Sequence, residues 1–178
     1  KACAVATHVG LPVEFVYVDP AKREHKAPPY LAINPNGVVP ALTDGDMTLW
    51  ESDAIMCHLA KAAGSDLWPS DNRQVEVMKW LSWNAHHFTR HGGELYFQNV
   101  IRPLIGEEPD LEAVADATRG WLPFAQVLDT HLRGRSYLVG ETPTIADFSV
   151  AVALPYAEKA KIPLAGFPNV IRWHDRLN

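Results

Sequence analysis

The 178-residue sequence contains only two cysteines, Cys3 and Cys57, and no CxxC spacing. That excludes a disulfide-stapled secreted scaffold and any redox dithiol. Two reduced, buried thiols in a cytoplasmic protein are the expectation. Long apolar runs are also missing. None, the stretch at residues 148–153 included, is long enough for a bilayer span, and the first residues carry no signal-peptide pattern. Charge of one sign does not accumulate: the net charge is −5 with the signs mixed along the chain. Without a basic stripe, neither nucleic acid nor a membrane surface is a predicted partner. There is no internal repeat and no low-complexity segment. Two smaller absences matter more. No strand pattern precedes the first helical pattern, and no Ser or Tyr occurs in residues 1–16.

What is present is ordinary globular material, 47% hydrophobic and 21% charged. Ala2, Val5, Ala6 and Val9 share one helical face, with Gly10 as the stop and Pro12 beyond it. Residues 13–18, VEFVYV, read as a strand rich in β-branched and aromatic residues. Helix followed by strand is two-thirds of a βαβ unit whose first strand would precede Lys1. Residues 28–33 read as a short helix. Residues 52–63 place Ile55, Met56, Leu59, Ala60 and Ala63 on one face, ended by Gly64. From residue 64 to 72, GSDLWPSDN breaks the pattern, and strand–helix alternation gives way to helix alone. The predicted domains are therefore 1–63 and 73–178, joined by a linker over 64–72.

In the second domain, residues 73–102 read as a long helix with Val77, Trp80, Leu81, Asn84 and Phe88 inward and an interruption at Gly92-Gly93. Its aromatic residues are more often core than the wall of an apolar pocket. His87 and His91 have helical spacing, but no HExxH is present, and no metal is expected. Residues 111–132 form a second long helix, with Val114, Trp121, Ala125, Leu128 and Leu132 inward and a bend at Pro123. Thr144 and Asp147 have capping-box spacing and open a buried helix over 145–154. Pro168 starts a last amphipathic helix.

The chemistry concentrates in residues 34–52, NPNGVVPALTDGDMTLWES. Pro40 cannot donate to a sheet ladder and belongs at a strand's start or edge, where a cis bond is inexpensive. The backbone of Val39 is then free to pair with a short extended peptide. Asp44-Gly45 supplies a tight hairpin turn. The return strand, residues 47–50, runs into Glu51-Ser52. Ser52 is a good N-cap, a helix N-terminus suits a carboxylate, and Glu51 suits an amine. Asp53 would repel that carboxylate if it pointed inward.

In this order the stretch resembles the glutathione-binding half of the glutathione transferase family, of the bacterial, cytosolic type. The residues that carry the likeness are Asn34-Pro35-Asn36-Gly37-Val38-Val39-Pro40 and Glu51-Ser52-Asp53-Ala54-Ile55, with Thr144-Ile145-Ala146-Asp147 in the C-terminal half. The resemblance implies an α/β plus all-α fold: a thioredoxin-like N-terminal domain, incomplete here, followed by an all-helical C-terminal transferase domain. It implies a homodimer in the cytoplasm, with glutathione as cosubstrate and a small hydrophobic second substrate. Val39 would pair with the cysteinyl unit through its backbone, and Pro40 would fix that backbone. Glu51 would take the γ-glutamyl ammonium, and Ser52 with its N–H the α-carboxylate. His25 and Lys26, in a basic loop, would meet the glycine carboxylate. The group that favours the thiolate would lie in a loop before Lys1, so no catalytic residue is assigned. Addition of glutathione to a hydrophobic electrophile is the implied reaction. A glutathione-dependent disulfide reductase or lyase, or a non-catalytic interaction module, would use the same scaffold.

Overall fold

α1 (Ala2–His8) buries Ala2, Val5 and Ala6, and Gly10 ends it at φ +69°. After it the chain leaves regular structure. Residues 13–18 do not form the expected strand, and Phe15, Val16 and Tyr17 are largely exposed. The reason is pairing: a strand exists by its ladder, and no strand of this chain lies beside these residues. A 3-10 turn (Glu24–Lys26) and α2 (Pro28–Leu31) follow. A two-stranded antiparallel hairpin comes next, β1 (Ala41–Asp44) and β2 (Met47–Trp50). Its register runs from Ala41 opposite Trp50 to Asp44 opposite Met47. The turn pair is therefore Gly45-Asp46 rather than Asp44-Gly45, with Gly45 at φ +57°. That fits a hairpin turn with glycine in its first central position. α3 (Ser52–Ala62) packs Ile55, Met56, Leu59 and Ala60 inward, against α1 and the hairpin. His58 Nε2 lies 2.8 Å from Asp44 Oδ2 and pins the hairpin turn to α3.

The computed structural model describes all residues, 1–178. They divide into two units, Lys1–Trp68 and Pro69–Asn178. The second unit is entirely helical. α4 (Arg73–Trp83), α5 (Thr89–Tyr96) and α6 (Arg102–Leu104) run on through two π-helical turns, Asn84–Phe88 and Phe97–Ile101. The interruptions thus fall at these turns and not at Gly92-Gly93, which stay inside α5. Gly92 faces Ala153 and Trp121, and a Cβ there would make ordinary contacts at 3.5 and 3.6 Å. Trp80, Phe88 and Trp121 are core, while His86 and His87 are exposed. His87 and His91 both stack on Phe124, at 4.7 and 5.8 Å between ring centres. α7 (Leu111–His131) is capped by Asp110, which accepts from the Glu112 and Ala113 amides, and it continues through Gly120 and Pro123. α8 (Ile145–Val150) passes into a 3-10 turn, Ala151–Tyr156, that contains Pro155, so the buried helix is shorter than expected. α9 (Pro168–Leu177) buries Val170 and Trp173.

Two buried carboxylates tie this unit together. Asp147 is fully buried. It accepts from the Thr144 and Leu138 amides at 2.8 and 2.9 Å, from the Trp173 indole at 2.9 Å and from the Thr144 hydroxyl at 3.1 Å. Burial pushes its carboxyl above the usual range against these four donors. Asp129 of α7 caps α9, accepting from the Asn169 amide at 2.7 Å and the Val170 amide at 3.3 Å.

Candidate functional site

The candidate site lies at the open end of the hairpin. Because Ala41 faces Trp50, the residues before Ala41 and after Trp50 emerge side by side. These are Val39-Pro40 and Glu51-Ser52. Facing residues of an antiparallel pair are about 5 Å apart, so the terminal Ala41–Trp50 pair starts these two segments, with four of the six residues singled out from sequence, from neighbouring points. The Val39–Pro40 peptide bond is cis. Val39 is 61% exposed, and its amide and carbonyl make no hydrogen bond within the chain.

The loop that presents Val39 is built from inside. Asn34 is buried, and its side chain accepts from the Asn36 amide at 3.1 Å and donates to the Val38 carbonyl at 2.7 Å. The Tyr30 hydroxyl donates to the same carbonyl at 2.7 Å. Burial raises the Tyr30 pKa, opposed by its contact with Asn34, so the phenol remains a donor. Sequence reasoning missed Tyr30 and Asn34 as supports. The available signal was the Asn-Pro-Asn-Gly turn, since asparagine bonds its own backbone two residues on.

His25 and Lys26 reach the same loop from the other side. Gly37 sits at φ +59°, and a Cβ there would come within 2.9 Å of the His25 carbonyl and 3.0 Å of the Lys26 side chain. Lys26 Nζ donates to the Asn36 carbonyl at 3.3 Å. His25 is half-buried and Lys26 exposed. All six candidate residues thus lie on or against one loop and one helix start.

The helix start differs from the expectation in one respect. The N-cap of α3 is Glu51, not Ser52, which is the first helical residue. Glu51 has φ +72° and ψ +119°, and its carbonyl accepts the first helical bond from Ile55 at 3.0 Å. No side chain caps this helix. Its first amides are therefore left without internal partners. A non-glycine residue at such a φ costs on the order of 1–3 kcal/mol and is typical of functional sites. Asp53, next along, turns to Lys1, whose Nζ is 3.2 Å from Asp53 Oδ1.

The thiols differ from expectation too. Cys3 is exposed and Cys57 only half-buried. Burial raises the Cys57 pKa, which disfavours its thiolate. No group of three or more His, Cys, Asp or Glu side chains is arranged to hold a metal ion. An apolar groove of about 340 Å³ runs between residues 16–18 and α2; Val39, Pro40, Glu51 and Ser52 do not line it.

This chain therefore has an exposed, unpaired backbone beside an uncapped helix start in a small α/β unit, and a separate helical unit. Comparison with known proteins gives the class. Residues 1–61 match the glutathione S-transferase N-terminal domain, and residues 111–176 match the glutathione S-transferase C-terminal domain. Glutathione S-transferase 3 of Zea mays is 35% identical, over 99% of this chain and 82% of the relative. A rice relative, the probable glutathione S-transferase GSTF2 of Oryza sativa subsp. japonica, is 34% identical over 97% and 83%. A solved structure of glutathione S-transferase I with lactoylglutathione superposes with a TM-score of 0.87 at 31% identity, covering 99% of this chain and 87% of that one. The chain belongs to the glutathione S-transferase family. Its fold is the family's: a thioredoxin-like unit with two antiparallel strands and helices, then a helical unit.

Proposed function

We propose that this chain binds glutathione along the Val39 edge and the α3 start, and adds its thiolate to a hydrophobic electrophile. The carrying observation is the uncommitted Val39 backbone at the hairpin's open end, next to an uncapped helix. An extended cysteinyl unit gains two backbone hydrogen bonds there. Pro40 bounds that edge. The first amides of α3 and the Ser52 hydroxyl receive the γ-glutamyl carboxylate, favoured by the helix dipole. Glu51, exposed and held at φ +72°, receives the ammonium. His25 and Lys26, packed against Gly37, supply positive charge for the glycine carboxylate.

The reaction joins the glutathione thiolate sulfur to an electrophilic carbon; where that carbon bears a leaving group, as in an aryl halide, the group departs with the electron pair of its bond. The residues assigned here bind and orient the tripeptide. The reaction also needs the thiolate, since the thiol is a poor nucleophile near neutral pH. The same reading takes 64–72 as the interdomain linker, the functional form as a homodimer, the second substrate as small and apolar, and the compartment as the cytoplasm. No helix is long and apolar enough to cross a membrane.

Calorimetry with glutathione tests the site. Glu51→Ala and Ser52→Ala should each weaken binding with little loss of fold. Wild-type affinity in both variants would refute the assignment. A chromogenic aryl halide then tests the transfer itself.

A further inference from the structure

The α3 start carries two acids, one on each side of Ser52, and the structure treats them differently. Glu51 is exposed. Asp53 is the only acid in the first helical turn, and it is paired with Lys1 at 3.2 Å. Both side chains of that pair are less than one-third exposed, at 17% for Lys1 and 26% for Asp53, which limits screening by salt. Lys1 directly precedes α1, and α1 packs on α3, so the pair is held by the docking of two helices.

An α-amino acid head is a zwitterion, with its ammonium and carboxylate on one carbon. A subsite for it needs one bare acid, and close by, donors free of negative charge. Two bare acids around Ser52 would favour an amine and repel the carboxylate. Successive Cα atoms are about 3.8 Å apart, so an unpaired Asp53 would stand within a few ångströms of a carboxylate at Ser52.

We infer that Lys1 is a positioning residue for the γ-glutamyl head: by pairing with Asp53 it leaves Glu51 as the one bare acid and the α3 start receptive to a carboxylate. Lys1 acts through Asp53 and does not touch the ligand. The inference rests on the reading of Ser52 given above, and the test separates the two.

The probes are glutathione and its descarboxy analogue, γ-aminobutyryl-cysteinylglycine, which keeps the ammonium and lacks the α-carboxylate. Affinities are measured by calorimetry on the full chain, with thermal unfolding alongside. Wild type should prefer glutathione. Lys1→Met should weaken glutathione about fivefold, as an unscreened like charge at this range would, and leave the analogue unchanged. Lys1→Arg should restore the preference. Lys1→Met with Asp53→Asn should recover most of it, because the repelling charge is gone. Equal weakening of both ligands by Lys1→Met would overturn the inference and leave the pair a helix tie. No preference in wild type would refute the Ser52 subsite itself, and the inference with it. If Lys1→Met does not fold, Asp53→Asn alone decides: retained or stronger glutathione preference supports the role, and a lost preference overturns it.

Discussion

Two helix starts in this chain use the same kinds of residue to opposite ends. At α8, Thr144 and Asp147 close on each other, and Asp147 also gathers the Leu138 amide and the Trp173 indole. Every acceptor position is filled from within, and the group is fully buried. At α3, Glu51 precedes Ser52 and Asp53, yet no side chain caps the helix and Glu51 stands exposed at φ +72°. A helix N-terminus whose donors are satisfied internally is a rivet. One left open, at the end of a hairpin whose backbone is also unpaired, is where we propose that the ligand sits.

The comparison breaks most visibly at the closed start. Asp147→Ala should cost about 3–5 kcal/mol, because it strands buried amides and an indole N–H together. That exceeds what a capping box alone contributes, since Leu138 and Trp173 depend on the same carboxylate. Urea unfolding measures it, and a loss below about 1 kcal/mol would mean the network is dispensable. Glutathione affinity of whatever remains folded should not change.

At the open start the signs reverse. Glu51→Ala should weaken glutathione about tenfold or more, the loss of a hydrogen bond between charged groups. Glu51→Gly should weaken it as much and yet raise stability by about 1 kcal/mol, because glycine accepts φ +72° without strain. Paired calorimetry and unfolding show whether affinity and stability move in opposite directions. If Glu51→Gly loses stability, the strain assigned to this residue is wrong.

A smaller effect is expected in the basic loop. Lys26→Ala should weaken glutathione about threefold at low salt and hardly at all at high salt, because Lys26 is exposed and screened. A salt-independent loss would point instead to the Lys26 contact with Asn36 as a loop brace.

The smallest effect concerns pH and lies in the helical unit. Burial lowers the pKa of His91, His131 and His174 below 6.5. His131 Nε2–H donates to the Leu138 carbonyl at 2.8 Å. A folded pKa below the unfolded one means that the unfolded chain binds more protons as pH falls through 6.5. Stability is therefore held above about pH 6.5 and declines as pH drops toward the folded values. Unfolding curves at a series of pH values should flatten in this window in the His131→Gln variant. An unchanged slope would assign the dependence to other groups.

Much of this was legible in the chain itself. The helices over 2–8, 52–62, 111–131 and 168–177 follow apolar periodicity and their glycine or proline ends, which are local properties. The Thr144–Asp147 box is local too, and so are the turn glycine at 45 and the proline at 40. Val39, Pro40, Glu51 and Ser52 stand in one short motif whose two ends the hairpin joins, whereas His25 and Lys26 were implied by the resemblance to the family. The strand expected over residues 13–18 failed for a nonlocal reason: composition makes a segment fit to be a strand, but only a neighbour makes it one. The helix interruptions at 84–88 and 97–101 were invisible because a π-turn reflects packing between helices rather than any breaker in the sequence.

The amino-acid order by itself decided where the helices run, which loop bends at Pro40 and which acids flank Ser52, because these depend on residues a few positions apart. Only the tertiary structure decided that Asn34 and Tyr30 hold the Val38 carbonyl, that Asp129 caps a helix 40 residues away, and that Lys1 meets Asp53. Partners far apart in the chain become neighbours through packing, and it is the presence or absence of such partners that separates a closed helix start from an open one.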